Sequence, residues 1–196
     1  MSDPPLPPPR LALSLLPVGS LEPPRAEELV ERLSRRTAAA WRLLPPRPDN
    51  PLPRLAARGQ VDADALLAEL EAEAPSDGVL VGLTRHDLAI PIFTFVLGRA
   101  RQGGRAALVS MARLDPAFYG LPEDPALLLT RTVVEVLHEL GHVAGLAHCG
   151  EASCLMSFAG SVERVDVRGS EFCPECRERL PEWLGTDATG VLSRRP

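Results

Sequence analysis

The sequence predicts an α/β domain built on a mixed sheet, and three observations carry that expectation. Along the first half of the 196-residue chain, apolar runs of strand length alternate with helical spacing: strand, helix, strand, helix, then three strands. The run Gly78 to Leu83 is apolar throughout and bounded by Asp77 and Thr84, the pattern of a strand covered on both faces. A long helix opening near Pro125 is apolar round most of its circumference, which means that it is buried.

Taken in order, residues 1–9 form a Pro-rich tail and residues 10–185 the folded domain, with a second tail at 186–196. Arg10 to Val18 is an apolar run of strand length, ended by Gly19. Glu22 to Arg36 reads as an amphipathic helix, with Pro23 and Pro24 at its start and Ala26, Leu29, Val30 and Leu33 along one face. Ala38 to Leu44 is a second strand. The segment 45–60 is too rich in proline for either regular element and is read as a loop.

Asp62 or Asp64 can cap a second helix that runs to Glu73, with Ala65, Leu66, Leu70 and Leu67 facing inward. After the Gly78 strand, Ile90 to Gly98 is a fourth strand, and Pro91 near its start suggests an edge position. Arg105 to Met111 is a fifth. Asp124 followed by Pro125 is an N-cap and first-turn pair, opening the long helix. Its one narrow polar stripe holds Arg131, Glu135, His138 and His142, with Glu139 at the margin. A buried helix must aim such a stripe into a cleft or pair it.

The stretch 138–148 gives that stripe its chemistry. At about 100° per residue, His138 and His142 stand one turn apart on one face, so both imidazoles can bind one ion. Glu139 is one step round the helix, where it misses the metal but can reach a water beside it as a general base. Gly145 takes positive φ without steric cost, so the chain can leave the helix sharply and bring His148 back as a third ligand. Three imidazoles leave one position of a tetrahedral zinc open, the mark of a catalytic ion. Chance gives this full spacing in roughly one chain in a hundred thousand, so an incidental histidine pair is set aside.

All four cysteines fall in 149–176: Cys149 and Cys154 with four residues between, Cys173 and Cys176 with two. Paired thiolates of this kind suit a closed tetrahedral site with no place for water, hence a second, structural zinc. Two disulfides or four free thiols are the alternatives, and the first is disfavoured in a chain with no readable export signal. The first nine residues hold Asp3 and five prolines where a signal peptide carries a basic region. The expected location is therefore cytoplasmic. No run of eighteen apolar residues exists, so no membrane partner is expected. A net charge of −5 gives no reason to expect a nucleic-acid partner. Nor does the segment from Cys149 to Leu180, where four Arg face six acidic residues and the only aromatics are Phe158 and Phe172.

HELGHVAGLAHC followed by CLM and FCPEC resembles the archaemetzincins, a family of metzincin-type zinc peptidases; weaker likenesses upstream are RGQVDADALL, GLTRHDL and FTFVLGRA. The resemblance implies a single metzincin-like domain with a mostly parallel twisted sheet, an active-site helix and a zinc-stapled C-terminal segment. It also implies two Zn2+ ions: a catalytic one on His138, His142 and His148 with Glu139 as base, and a structural one on Cys149, Cys154, Cys173 and Cys176. Met156 would be the methionine of the turn beneath the metal. Peptide-bond hydrolysis of a peptide or protein substrate by a monomer, as an amino- or endopeptidase, is the expected function. An edge strand at Ile90 to Gly98 could hold the peptide by strand addition.

Other expectations remain open at this stage. Some metzincins carry a Tyr soon after the methionine turn to stabilise the oxyanion, but Phe158 stands there and the sole Tyr is Tyr119. His86 and Asp87 could approach substrate or simply be solvated. Glu135 could pair with Arg131 or buttress a ligand histidine. The competing class is a latent zinc protein whose cleft binds peptides without cutting them, and a weaker third is hydrolysis of a small amide. Retention of Glu139, which ligates nothing in this scheme, counts against latency.

Overall fold

A computed structural model describes residues 11–21, 23–48 and 51–185. Both predicted tails, Arg10 and Glu22 lie outside the described residues. The main sheet contains β1 (Ala12–Val18), β2 (Ala40–Leu43), β4 (Gly78–Thr84), β7 (Gly98–Ala100) and β8 (Ala106–Ser110), in the order β2-β1-β4-β8-β7. All pairings are parallel except β7 with β8. Three further strands, β3 (Val61–Asp62), β5 (Leu88–Ile90) and β6 (Phe93–Val96), form a small second sheet in the order β3-β5-β6.

Helices cover both faces of the main sheet, and the period-2 alternation of its strands divides the core between them. Leu13, Leu15, Val79, Val81, Leu83, Ala107 and Val109 face α1 (Pro23–Ser34) and α3 (Pro125–Val143). Leu16, Val18, Leu80, Ala106 and Leu108 face α2 (Ala63–Glu73). Each such Leu or Val removed from water is worth about 1.5–3 kcal/mol. In α2 the cap is Asp62, whose side chain accepts from the N–H groups of Asp64 and Ala65. Ala63 takes the buried position assigned to Ala65, which is only half-buried, because residues 63, 66, 67 and 70 share one face of the helix.

The predicted fourth strand is the main correction. Ile90 to Gly98 is three pieces: the end of β5, a turn at Pro91–Ile92, β6, and then β7 after a break at Leu97. Proline fixes its φ and lacks an N–H, so an apolar run of the right length turns back on itself there. The piece of this run at an edge of the main sheet is therefore the shorter β7. The two-residue β3 and three-residue β5 are too short to leave a periodic signal.

The long helix α3 is buried as its circumference predicts, with Val136, Leu137 and Leu140 at most 1% exposed. Asp124 caps it, its carboxylate accepting from Leu127 N–H at 2.9 Å, and Pro125 occupies the first turn. Asp124→Ala should lower stability by about 1 kcal/mol in urea denaturation, with zinc content unchanged. Two short helices follow, α4 (Val162–Val167) and α5 (Pro174–Glu178).

Candidate active site and metal centres

The end of α3 builds the first cluster. Gly145 adopts φ +94°, Leu146 N–H bonds to Gly141 C=O at 2.9 Å, and Gly145 N–H bonds to His142 C=O at 2.9 Å. These two bonds are a Schellman cap, which ends the helix and reverses the chain. His148 thereby returns to the two helical histidines, with ring centroids 5.4 Å from His138 and 4.9 Å from His142. One ligand nitrogen from each of the three lies within 4.8 Å of the others.

Backbone carbonyls orient two of the rings. The Nδ1 of His138 is 2.8 Å from Leu155 O, and that of His142 is 2.8 Å from Leu146 O. An N–H at Nδ1 leaves Nε2 as the free lone pair in each, the tautomer a metal ligand needs. Burial holds all three imidazoles below their ordinary pKa, His138 well below, with the Arg168 cation adding to the effect. Neutral imidazoles grouped in this way fit a zinc ion.

Glu139 lies beside the triad and is buried. Burial, then the neighbouring Glu135 carboxylate, raises its pKa well above the usual carboxylate range, as suits a group that must take up a proton. It rests against the edge strand, where a Cβ on Gly98 would stand 2.5 Å from Glu139 Oε1 and 2.7 Å from its Cγ. Gly98→Ala must push the carboxylate aside, and about 10²-fold lower turnover with unchanged zinc content is expected in a peptide-cleavage assay.

The triad and Glu139 form the floor of a cleft of 420 Å³. One wall is β6 to β7, with Phe93, Phe95 and Arg99; the other carries Phe158, Ala159 and Gly160. The turn after β7 ties this wall to the helix end, through Gln102 Nε2 to Gly145 O at 2.7 Å and Gly103 N–H to His142 O at 3.1 Å. Phe158 is exposed at the mouth, edge-on to His148 at 5.2 Å. Tyr119 does not line the cleft; its hydroxyl donates to Arg113 O at 3.0 Å. His86 and Asp87 also lie outside it, and Asp87 accepts from Arg113 and Gln60.

The pairing imagined for Glu135 does not form. Arg131 instead binds Asp166 of α4 at 2.6 and 2.7 Å and Leu114 O at 2.8 Å. Glu135 binds Arg168, the residue that ends α4, and both are buried. Arg168 is the site residue that reading the sequence missed. The available signal was reciprocal charge: Arg131 and Glu135 one helical turn apart, Asp166 and Arg168 two residues apart with the signs reversed.

The second cluster gathers Cys149, Cys154, Cys173 and Cys176, whose sulfurs lie within 4.8 Å of one another and form no disulfide. Burial raises the pKa of Cys154 and Cys176 while a backbone N–H lowers that of Cys173, so all four would be thiolates together only with a cation among them. Backbone N–H groups already point at the sulfurs: Glu151 at Cys149, and Met156 and Cys173 at Cys154, at 3.3–3.4 Å. This donor set fits zinc. Met156 is wholly buried and packs against Gly141, between the two helical histidines in sequence, where a Cβ would collide with its sulfur.

A hydrolytic cleft over three convergent histidines and a buried glutamate, beside a four-cysteine cluster on an α/β sheet, defines a zinc metallopeptidase. The profile of peptidase family M54 matches residues 56–182. The chain is 31% identical over 175 residues to the archaemetzincin of Methanocaldococcus jannaschii, covering 88% of this chain and 94% of that one. To the archaemetzincin of Methanopyrus kandleri it is 46% identical over 123 residues, covering 63% and 67%. A zinc-dependent peptidase from Methanocorpusculum labreanum superposes with a TM-score of 0.78 at 27% identity, over 86% of this chain and all of that one. Archaemetzincin from Archaeoglobus fulgidus, solved with malonate, gives 0.75 at 30%, over 87% and 100%. The chain belongs to peptidase family M54, the archaemetzincins.

Proposed function

We propose that the chain cuts internal peptide bonds with one zinc held by His138, His142 and His148, and carries a second, structural zinc on Cys149, Cys154, Cys173 and Cys176. The observation that carries the reading is the convergence of three neutral imidazoles within 4.8 Å on the floor of the cleft, with Glu139 beside them. Bound there, zinc would supply Lewis acidity to a substrate carbonyl and lower the pKa of water. Glu139 takes the proton from the attacking water and passes it to the leaving amine, a transfer helped by its raised proton affinity. The edge of β7 and the aromatic walls bind the extended substrate, strand against strand.

Charge in the cleft supports the reading of internal cleavage. The carboxylates lining the cleft are Glu135 and Glu139, and Glu135 is already held by Arg168. No other carboxylate among the lining residues can receive the ammonium of a substrate's N-terminus. Four cysteines without a disulfide support a reducing, cytoplasmic setting. No helix among the described residues is long and apolar enough to cross a membrane. A monomer with a peptide or protein substrate completes the reading.

The test is zinc stoichiometry with a peptide-library digest, on the wild type and on a variant with His138 and His142 both changed to Ala. Two zincs falling to one, with cuts inside peptides made only by the wild type, is the expected outcome. A single zinc in the wild type would overturn the two-site reading, and release of single N-terminal residues would overturn internal cleavage.

A further inference from the structure

We propose that Arg168 is a positioning residue for the metal centre, fastening the ring of His138 between the catalytic helix and the methionine turn. This rests on the reading of His138 as a zinc ligand. The guanidinium reaches three elements at once. Its Nη2 bonds to Glu135 Oε2 on α3, one turn before Glu139. Its Nη1 lies 3.1 Å from His138 Nδ1 and 3.4 Å from Ser157 O, next to Met156. His138 Nδ1–H already donates to Leu155 O, so Arg168 packs along that edge of the ring as a wall. Leu155 and Ser157 flank the methionine, and Arg168 joins their side of the ring to the helix.

The chain holds Arg168 firmly in place. Its own N–H bonds to Arg164 O at 3.0 Å, and Gly169 N–H bonds to Ser153 O at 3.0 Å. Two residues earlier, Asp166 pairs with Arg131 one turn up the same helix. Two ion pairs of opposite sense thus clamp the end of α4 onto α3, and the inner one is buried, with side chains 2% and 5% exposed. A buried pair of this kind costs desolvation that its own attraction need not recover. Arg168 Nε is moreover buried without a hydrogen-bond partner among the described residues. Hydrogen bonding alone therefore does not explain the placement, and against the Nδ1–H edge of His138 the guanidinium acts by shape and not by a bond.

The test is zinc affinity at the histidine site, measured by chelator competition on the full chain, together with melting temperature, kcat and KM for a peptide that the wild type cuts. The variants are Arg168→Met, Arg168→Lys, Glu135→Gln and His138→Ala. Positioning predicts that Arg168→Met and Glu135→Gln both weaken this zinc, by about 10–100-fold, and lower kcat more than they raise KM. Arg168→Lys, which can still pair with Glu135, should recover part of the loss.

Charge alone predicts opposite signs: loss of the Arg168 cation would tighten zinc, and loss of the Glu135 anion would loosen it. Tighter zinc in Arg168→Met therefore overturns the proposal. So does a lower melting temperature with histidine-site affinity within about twofold of wild type, far below the span expected for such a partner. Should Arg168→Met not fold, Arg168→Lys decides: it keeps the charge, so charge alone predicts wild-type zinc affinity, and histidine-site affinity within about twofold of wild type overturns the proposal. Wild-type affinity in His138→Ala would overturn the ligand reading itself, a failure separate from that of Arg168.

Discussion

Replacing Glu139 by Ala should lower kcat by about 10²–10⁴-fold while leaving the zinc content of the protein unchanged. The separation of the two effects comes from geometry. Glu139 is one residue from His138 but a step round the helix, and it is not part of the three-histidine cluster. Its carboxylate packs against Gly98 and is raised in pKa by burial and by Glu135, so the contribution expected of it is proton transfer and not ligation. Zinc by elemental analysis and peptide cleavage are read on one preparation. Normal hydrolysis by the variant would remove Glu139 as the base, whereas loss of zinc would make it a ligand. Gln at the same position keeps the shape and loses the proton acceptor, and so should fall as far as Ala.

The legible parts of the chain share a physical feature, a signal contained in neighbouring residues. His138, Glu139 and His142 sit on one helix, where 3.6-residue geometry converts spacing directly into position, and Gly145 in its cap turns the chain so that His148 returns to them. The buried strands at Gly78 and Arg105 read as continuous apolar runs because helices cover them on both sides. Ile90 to Gly98 looked like one strand because hydrophobicity does not record direction; the turn at Pro91–Ile92 folds β6 back on β5, and the break at Leu97 passes the chain to the main sheet. Arg168 left only the faint signal of reciprocal charge, for another reason. Its partners, Glu135 and His138, lie 33 and 30 residues away, and nothing local to α4 distinguishes it from the exposed Arg164. Glu135 itself could be placed on the buried stripe, but its partner could only come from the tertiary fold.

Cys154→Ser should remove the second zinc and weaken the first. In zinc-finger peptides a structural zinc supplies roughly 10–16 kcal/mol of apparent folding free energy, so even partial loss here should lower the melting temperature by at least about 10 °C. The effect on the histidine site follows from the path of the chain. His148 and Cys149 are consecutive, so one end of the cysteine cluster fixes where the third imidazole stands. Cys149 N–H bonds to Met156 O at 2.9 Å, and Leu155, between Cys154 and Met156, provides the carbonyl that orients His138. Cys154 also receives the N–H groups of Met156 and Cys173, which hold this turn in shape. Serine cannot complete the four-thiolate site, and release of the segment frees both His148 and the Leu155 carbonyl. The expected stoichiometry therefore falls from two towards zero, in contrast to the histidine variant, where it falls to one. Unchanged melting and two retained zincs would show the cysteines to be ordinary thiols. Loss of one zinc with full cleavage would show two independent sites, with the backbone between them rigid enough to hold the triad alone.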